Sequence, residues 1–226
     1  MPKAIKKRVE QKARKEDSIN ETVTDIRQKL KERQRMLVYS LLVAGGLILA
    51  VGSFFIYDKV MASKAQGLEY EGLKLFNGSG QAQVIAPQDR YKNALEKFKA
   101  AYAAKKSPFA LLYIANSYYE LGNYDEALKT LKDLTGRYSD PKVMSLAYYK
   151  MAMTYMRKGD AASALNTFNS LSSIKDSPLQ DMALLESGRL LESMGKTEEA
   201  KGKYKELISK FPQSALADEA KTRVGN

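Results

Sequence analysis

Residues 36–56, MLVYSLLVAGGLILAVGSFFI, carry no formal charge over 21 positions. An α-helix rises ~1.5 Å per residue, so this run spans roughly 30 Å, about the thickness of a bilayer's hydrocarbon core. The competing structure is a buried core helix, but such helices usually show a polar stripe or run shorter. Here Arg33 and Arg35 fence one end and Asp58 and Lys59 the other. We read residues 36–57 as one transmembrane helix. Tyr39, Phe54, Phe55 and Tyr57 lie near its two ends, where aromatic rings suit the headgroup region.

Charge gives the span a direction. The first 35 residues hold twelve Lys and Arg against six Asp and Glu, and Lys29, Lys31, Arg33 and Arg35 abut the apolar run. Beyond it, Lys59 and Lys64 are offset by Asp58. Basic residues beside a span are retained in the cytoplasm, so residues 1–35 are expected to form a cytoplasmic tail and residues 58–226 an extracytoplasmic domain. A cleaved signal peptide would need a short n-region, a shorter apolar core and a small-residue cleavage site. The tail is too long for that, and Ala62-Ser63-Lys64-Ala65 places a Lys inside the site, which points to an uncleaved signal anchor.

Within the tail, residues 1–16 are dominated by Lys and Arg and are expected to be disordered or loosely helical. A helix is expected from an N-cap at Asp17 or Ser18, with Ile19, Val23, Ile26 and Leu30 on one face and Leu37 continuing it into the membrane. In the span, Ser40 with Ala44 and Gly46 with Ala50 form small-xxx-small pairs. Such pairs let helix backbones approach closely and offer a route to weak self-association or to another membrane protein.

The chain has a formal net charge of +11, of which +6 sits in the tail, leaving +5 spread over residues 58–226. That remainder is an ordinary, mildly basic surface, so nucleic acid is not an expected partner. The chain contains neither Cys nor His. Disulfides, thiolate nucleophiles and Cys metal sites are therefore absent, as are the commonest general base and the commonest neutral metal ligand. We expect no enzyme, no cofactor and no metal. Asn77-Gly78-Ser79-Gly80 resembles a Gly-rich phosphate loop only superficially: no strand precedes it and no Gly-Lys-Ser/Thr follows.

After the span the chain repeats. Leu121-Gly122-Asn123-Tyr124-Asp125-Glu126-Ala127-Leu128 aligns with Lys158-Gly159-Asp160-Ala161-Ala162-Ser163-Ala164-Leu165 and with Met194-Gly195-Lys196-Thr197-Glu198-Glu199-Ala200-Lys201. The three glycines are spaced by 37 and 36 residues, and each separates two helical runs. A Gly in that place ends a helix where φ > 0 is wanted. Ala127, Ala164 and Ala200 follow five residues on, where a small side chain lets the second helix press against the first. Tyr118, Tyr155 and Leu191 stand four before the Gly; Leu131, Phe168 and Tyr204 stand nine after it; Pro141, Pro178 and Pro212 close the units.

This pattern resembles tetratricopeptide repeats, helix-turn-helix units of about 34 residues. The resemblance covers roughly residues 109–212, although Leu111, Tyr148 and Leu184 replace the usual early Trp and the small first-helix position is Ala115, Ala152 and Gly188. It implies an all-α chain: a single transmembrane helix, then a right-handed solenoid of three to four hairpins over residues 63–106, 109–142, 146–178 and 182–212, with a closing helix at 214–224. The first unit is degenerate. Tyr91, Ala94, Phe98 and Ala101 match its second helix, and its first helix is expected near residues 63–76.

Family members usually bind ligands along first-helix positions facing the inside of the superhelix. Carried over by register, these are Phe109, Leu112, Asn116 and Tyr119, then Leu146, Tyr149, Met153 and Met156, then Met182, Leu185 and Arg189. Most are aromatic, aliphatic or Met, a mixture that adapts to apolar partner segments; the same side chains could instead fill gaps between hairpins. The family version that clamps acidic C-termini is a poor match, since only Asn116 falls in a clamp-like register.

The order of parts resembles the ancillary subunit family of the bacterial Sec translocon. That resemblance implies a bitopic inner-membrane adaptor whose partners are translocon subunits and periplasmic chaperones. Scaffolds of envelope assembly, cell division or respiratory complexes share these parts. An organelle import receptor, with repeats facing the cytosol, is opposed by the inside-positive tail, and an enzyme accessory domain by the missing His and Cys. The orientation is directly testable: a reporter active only in the periplasm, fused after Asn226, is expected to be active. Activity of a cytoplasmic-only reporter at that position would overturn the orientation.

Overall fold

A computed structural model describes the backbone of residues 3–225 and the side chains of residues 20–225. The described residues form nine α-helices and one short 3₁₀ turn. The chain divides into two compact units, Met1–Lys59 and Val60–Asn226.

Helix α1 runs Lys3–Asn77. The expected helix start at Asp17 or Ser18 is therefore corrected. Residues 3–16 contain no Gly or Pro and are rich in Lys, Arg, Ala, Glu and Gln, all good helix formers, so nothing ends the helix short of Lys3. The side chains of Asp17, Ser18 and Ile19 lie outside the described residues; on the rest of that face Val23, Ile26, Leu30 and Leu37 are all exposed. Among the described residues one helix is long and apolar enough to cross a membrane, and none of its most apolar window is buried. A core helix of a soluble protein would have covered that surface.

The expected separation between the span and the first repeat helix is also absent. Residues 58–62, between the two expected elements, contain neither Gly nor Pro, so α1 runs through them, and it ends at Asn77 before Gly78, which has φ +65°. The end of α1 then pairs with α2 (Pro87–Ala104) across a 3₁₀ turn at Gly80–Val84. Glu71 and Lys97 form an ion pair at 2.6 Å between the two.

Three further hairpins follow: α3 (Pro108–Glu120) with α4 (Tyr124–Arg137), α5 (Pro141–Arg157) with α6 (Ala161–Ser172), and α7 (Gln180–Ser193) with α8 (Thr197–Lys210). Helix α9 (Ala217–Gly225) packs on α8. The closing helix thus begins later than residue 214. Ser214 belongs to the preceding turn, where its hydroxyl donates to Asp181 Oδ2 at 2.6 Å and accepts from the Leu216 N–H at 3.1 Å.

The three aligned glycines do what their spacing requires. Gly122, Gly159 and Gly195 have φ of +77°, +78° and +75°. Around each, two backbone bonds recur: the Gly N–H donates to a carbonyl three residues back, and the next N–H donates five residues back, to Tyr118, Tyr155 and Leu191 respectively. This satisfies carbonyls that the end of a helix leaves open and turns the chain back on itself. Pro141 opens α5 rather than closing the preceding unit. A Pro at the first helical position gives up an N–H that had no partner there, and Asp140 before it accepts from the Lys142 and Val143 N–H groups at 3.0 Å.

Packing repeats with the sequence. Ala94, Ala127, Ala164 and Ala200 have no exposed surface, and one turn later Phe98, Leu131, Phe168 and Tyr204 are equally buried. Two close approaches of a helical glycine to a ring mark where those rings go. A Cβ placed on Gly188 would lie 2.3 Å from the Tyr204 ring, and one on Gly72 would lie 2.8 Å from the Phe98 ring. Gly72 therefore holds in the degenerate unit the place that Ala115, Ala152 and Gly188 hold in the others. The Tyr204 hydroxyl is buried without a hydrogen-bond partner among the described residues. Burial first, and the Glu192 carboxylate second, push its phenol up to about 12.

Two glycines of one hairpin should answer oppositely to the same change. Gly188→Ala forces a methyl into the Tyr204 ring and should cost about 1–3 kcal/mol. Gly202→Ala, in the interior of α8 with open space around it, should stabilise by roughly 0.5–1 kcal/mol. Chemical denaturation of both variants checks this; equal shifts would mean that the Gly188 to Tyr204 approach does not set the hairpin spacing.

Candidate functional site

The expected binding residues come from α3, α5 and α7, and they do not all reach the surface. On α5, Leu146 and Met156 are 46% and 37% exposed, while Tyr149 and Met153 between them are half-buried against the core around Phe168. On α3, Phe109 is at the surface and stacks on Tyr113 with ring centroids 4.6 Å apart. Leu112 packs on the neighbouring core, and Asn116 is half-buried, its Oδ1 buried and without a hydrogen-bond partner.

The α7 stripe departs from expectation. Met182 is half-buried, but Leu185 is 1% exposed and belongs to the core with Leu184, Leu191, Tyr204, Ala217 and Ala220. Leu185 cannot meet a partner. Arg189 is exposed but already engaged: its Nη2 donates to both carboxylate oxygens of Glu219 at 2.7 Å, and its Nη1 donates to Glu186 at 2.7 Å. The cause is α9, which brings Ala217 and Ala220 onto the same cluster and Glu219 onto Arg189. A second tie, Arg223 to Glu192 at 2.8 Å, fixes α9 to α7. The last unit is capped, and the exposed apolar positions of the stripe, Phe109, Leu146 and Met156, lie on α3 and α5.

Where α3 meets α5, the fold assembles a group that the register of expected positions does not contain. The Lys150 ammonium lies 4.3 Å from the centroid of the Tyr119 ring. The Arg157 guanidinium lies 5.9 Å from the same ring, and its Nε donates to the Tyr119 hydroxyl at 3.0 Å. Tyr124 meets the ring edge-on at 5.7 Å. Both cations are held by an aromatic face rather than by an acid, an attraction worth about 0.5–1 kcal/mol at exposed sites and more when desolvated. Burial holds the Lys150 ammonium below its usual range, with Glu120 acting weakly in the opposite sense. Burial, then Glu186, raises the Tyr149 phenol.

No group of three or more acidic side chains able to hold a metal occurs among the described residues. The stripe offers apolar surface, two cations and a phenol.

The description "Tetratricopeptide repeat-like domain" matches residues 32–223. The chain belongs to this family. Its repeat domain is a protein-interaction scaffold, a kind of domain that is typically non-catalytic. Comparison with curated proteins by sequence gives no match. Among solved structures, the nearly identical TPR-like repeats of a kinesin light chain from Podosopora anserina match with a TM-score of 0.54 at 12% identity, over 73% of this chain and 84% of that one. YrrB, a TPR protein with an unusual peptide-binding site, matches at 0.47 and 19% identity over 76% and 87%. The TPR2AB domain of yeast Sti1 in its pHSP90 complex matches at 0.44 and 18% over 72% and 71%. The first of these likenesses supports the repeat fold alone.

Register within the tetratricopeptide repeat picks positions one helix at a time, so it could find Tyr119 but not the two cations that Tyr119 meets. Lys150 and Arg157 are two turns apart on one face of α5, and that much is visible in the sequence. That a ring from the preceding unit sits between them depends on how the units stack. The separation of core from surface along the stripe yields a prediction. Leu185→Ala should cost about 2–5 kcal/mol, whereas Met156→Ala should cost well under that, about 0.5 kcal/mol. Thermal melts of the two variants decide it.

Proposed function

We propose that this chain is a bitopic scaffold of a bacterial inner membrane, with its N-terminus in the cytoplasm and its repeat domain in the periplasm. Its partners are proteins. It stands beside the Sec translocon and passes emerging chains to periplasmic chaperones, which bind the α3 and α5 stripe. The observation that carries this reading is the apolar window of α1: none of it is buried among the described residues, and the family match begins at residue 32, ahead of it, so that span and repeats are matched together. The basic flank from Lys29 to Arg35 supports the orientation. The exposed Leu146 and Met156 support the stripe as the contact surface.

The test uses the full chain in membranes with a photo-crosslinker at position 109. Leu146→Ser combined with Met156→Ser should lower crosslinking to partner proteins at least about tenfold, the loss of one hot spot. Because both side chains are exposed, the melting temperature should stay within about 2 °C of wild type. Undiminished crosslinks from a folded variant would place partner binding elsewhere. The identity of the crosslinked proteins separates the translocon assignment from an assembly role in another envelope or respiratory complex.

A further inference from the structure

The cations of the repeat domain are not treated alike. Lys97 pairs with Glu71, Lys158 with Asp125, Arg189 with Glu219 and Glu186, and Arg223 with Glu192. Lys150 and Arg157 have no carboxylate within ion-pair distance among the described residues, although both sit where the open part of the stripe lies. Arg157 spends one donor, Nε, on Tyr119. Its two Nη groups make no hydrogen bond among the described residues, and together they present the fork that a carboxylate accepts in bidentate fashion.

Lys150 is half-buried and faces a ring. A cation partly removed from water without a counter-ion is a standing cost, and its depressed pKa is the same fact seen through titration. An incoming carboxylate would relieve it. Of the acids nearby, Glu120 acts on Lys150 without reaching it, and Glu186 acts on Tyr149 while its carboxylate is held by Arg189. The surface flanking the two cations is apolar on the α5 side, where Leu146 and Met156 are exposed.

Resting on the reading of the stripe as the partner surface, we propose that it takes an extended polypeptide segment carrying an internal Asp or Glu. The carboxylate accepts from the Lys150 ammonium and from the free Nη donors of Arg157, on the side of each cation turned away from the Tyr119 ring, and the apolar neighbours of that acid lie on Leu146, Met153 and Met156. The sequence register favours apolar segments; the assembled geometry adds one acidic residue to that specification. Two cations set in apolar surface suit a single carboxylate better than a run of phosphates, which needs a wider basic field.

The test places a photo-crosslinker at position 156 of the full chain in membranes and maps the attached partner peptide by mass spectrometry. The peptide is expected to carry an Asp or Glu within about three residues of the attachment point. Lys150→Gln with Arg157→Gln should lower the yield at least about tenfold. Lys150→Glu with Arg157→Glu should abolish it, and changing the mapped acid of the partner to Lys should restore it. That rescue separates a direct charge contact from a loss of folding. Mapped peptides without an acid, full yield from the Gln variant, or loss without rescue would each overturn the proposal and leave the stripe as a partner surface. No crosslink at either position 109 or position 156 of the otherwise unchanged chain would overturn the stripe itself.

Discussion

Each hairpin depends on one large side chain of its second helix being driven against a small residue of its first. The pairs are Phe98 over Gly72, Leu131 with Ala115, Phe168 with Ala152 and Tyr204 over Gly188, all buried. Close approach at that point sets the spacing of the two helices. It also fixes which sides of α3, α5 and α7 are used internally and which remain for contact. In the two end units the partner is Gly, because the rings of Phe98 and Tyr204 occupy the volume a Cβ would need.

The two ends of the repeat array are finished by different means. At the start, the first helix of the degenerate unit is the continuation of the helix that carries the apolar run, and Ser107, the N-cap of α3, donates to its Glu69 at 2.6 Å. At the end, α9 supplies Ala217 and Ala220 to the core and Glu219 and Arg223 to the surface of α7. Repeat arrays need such finishing because a terminal unit has no neighbour to cover one face. Capping buries Leu185 and pairs Arg189, and the exposed apolar stripe positions lie on α3 and α5, in the middle of the array.

That placement gives the stripe its chemistry. Aromatic contact between Tyr119 and two cations of the next unit places positive charge beside exposed Leu and Met side chains. Charge there is held in position by a ring and left uncompensated, whereas the paired charges at the capped end are already neutralised.

The amino-acid sequence by itself determined the apolar span, the three turns and the fold class. Each of these follows from local chemistry: uncharged length for the span, φ > 0 for Gly122, Gly159 and Gly195, and the periodicity of buried Ala and aromatic positions for the hairpins. It also placed Phe109, Leu146, Tyr149, Met153 and Met156 on first helices. Only the tertiary structure decided which stripe positions are open, because burial of Leu185 depends on where α9 folds back and not on anything within α7. Only the stacking of units brought Lys150 and Arg157 to Tyr119, since residues 31 and 38 positions apart meet through the angle between hairpins, which no local pattern encodes. The unbroken passage from span to first repeat helix was legible in retrospect, in a stretch without Gly or Pro. Hydropathy and repeat register are separate signals along that stretch, while the backbone hydrogen-bond ladder is indifferent to both.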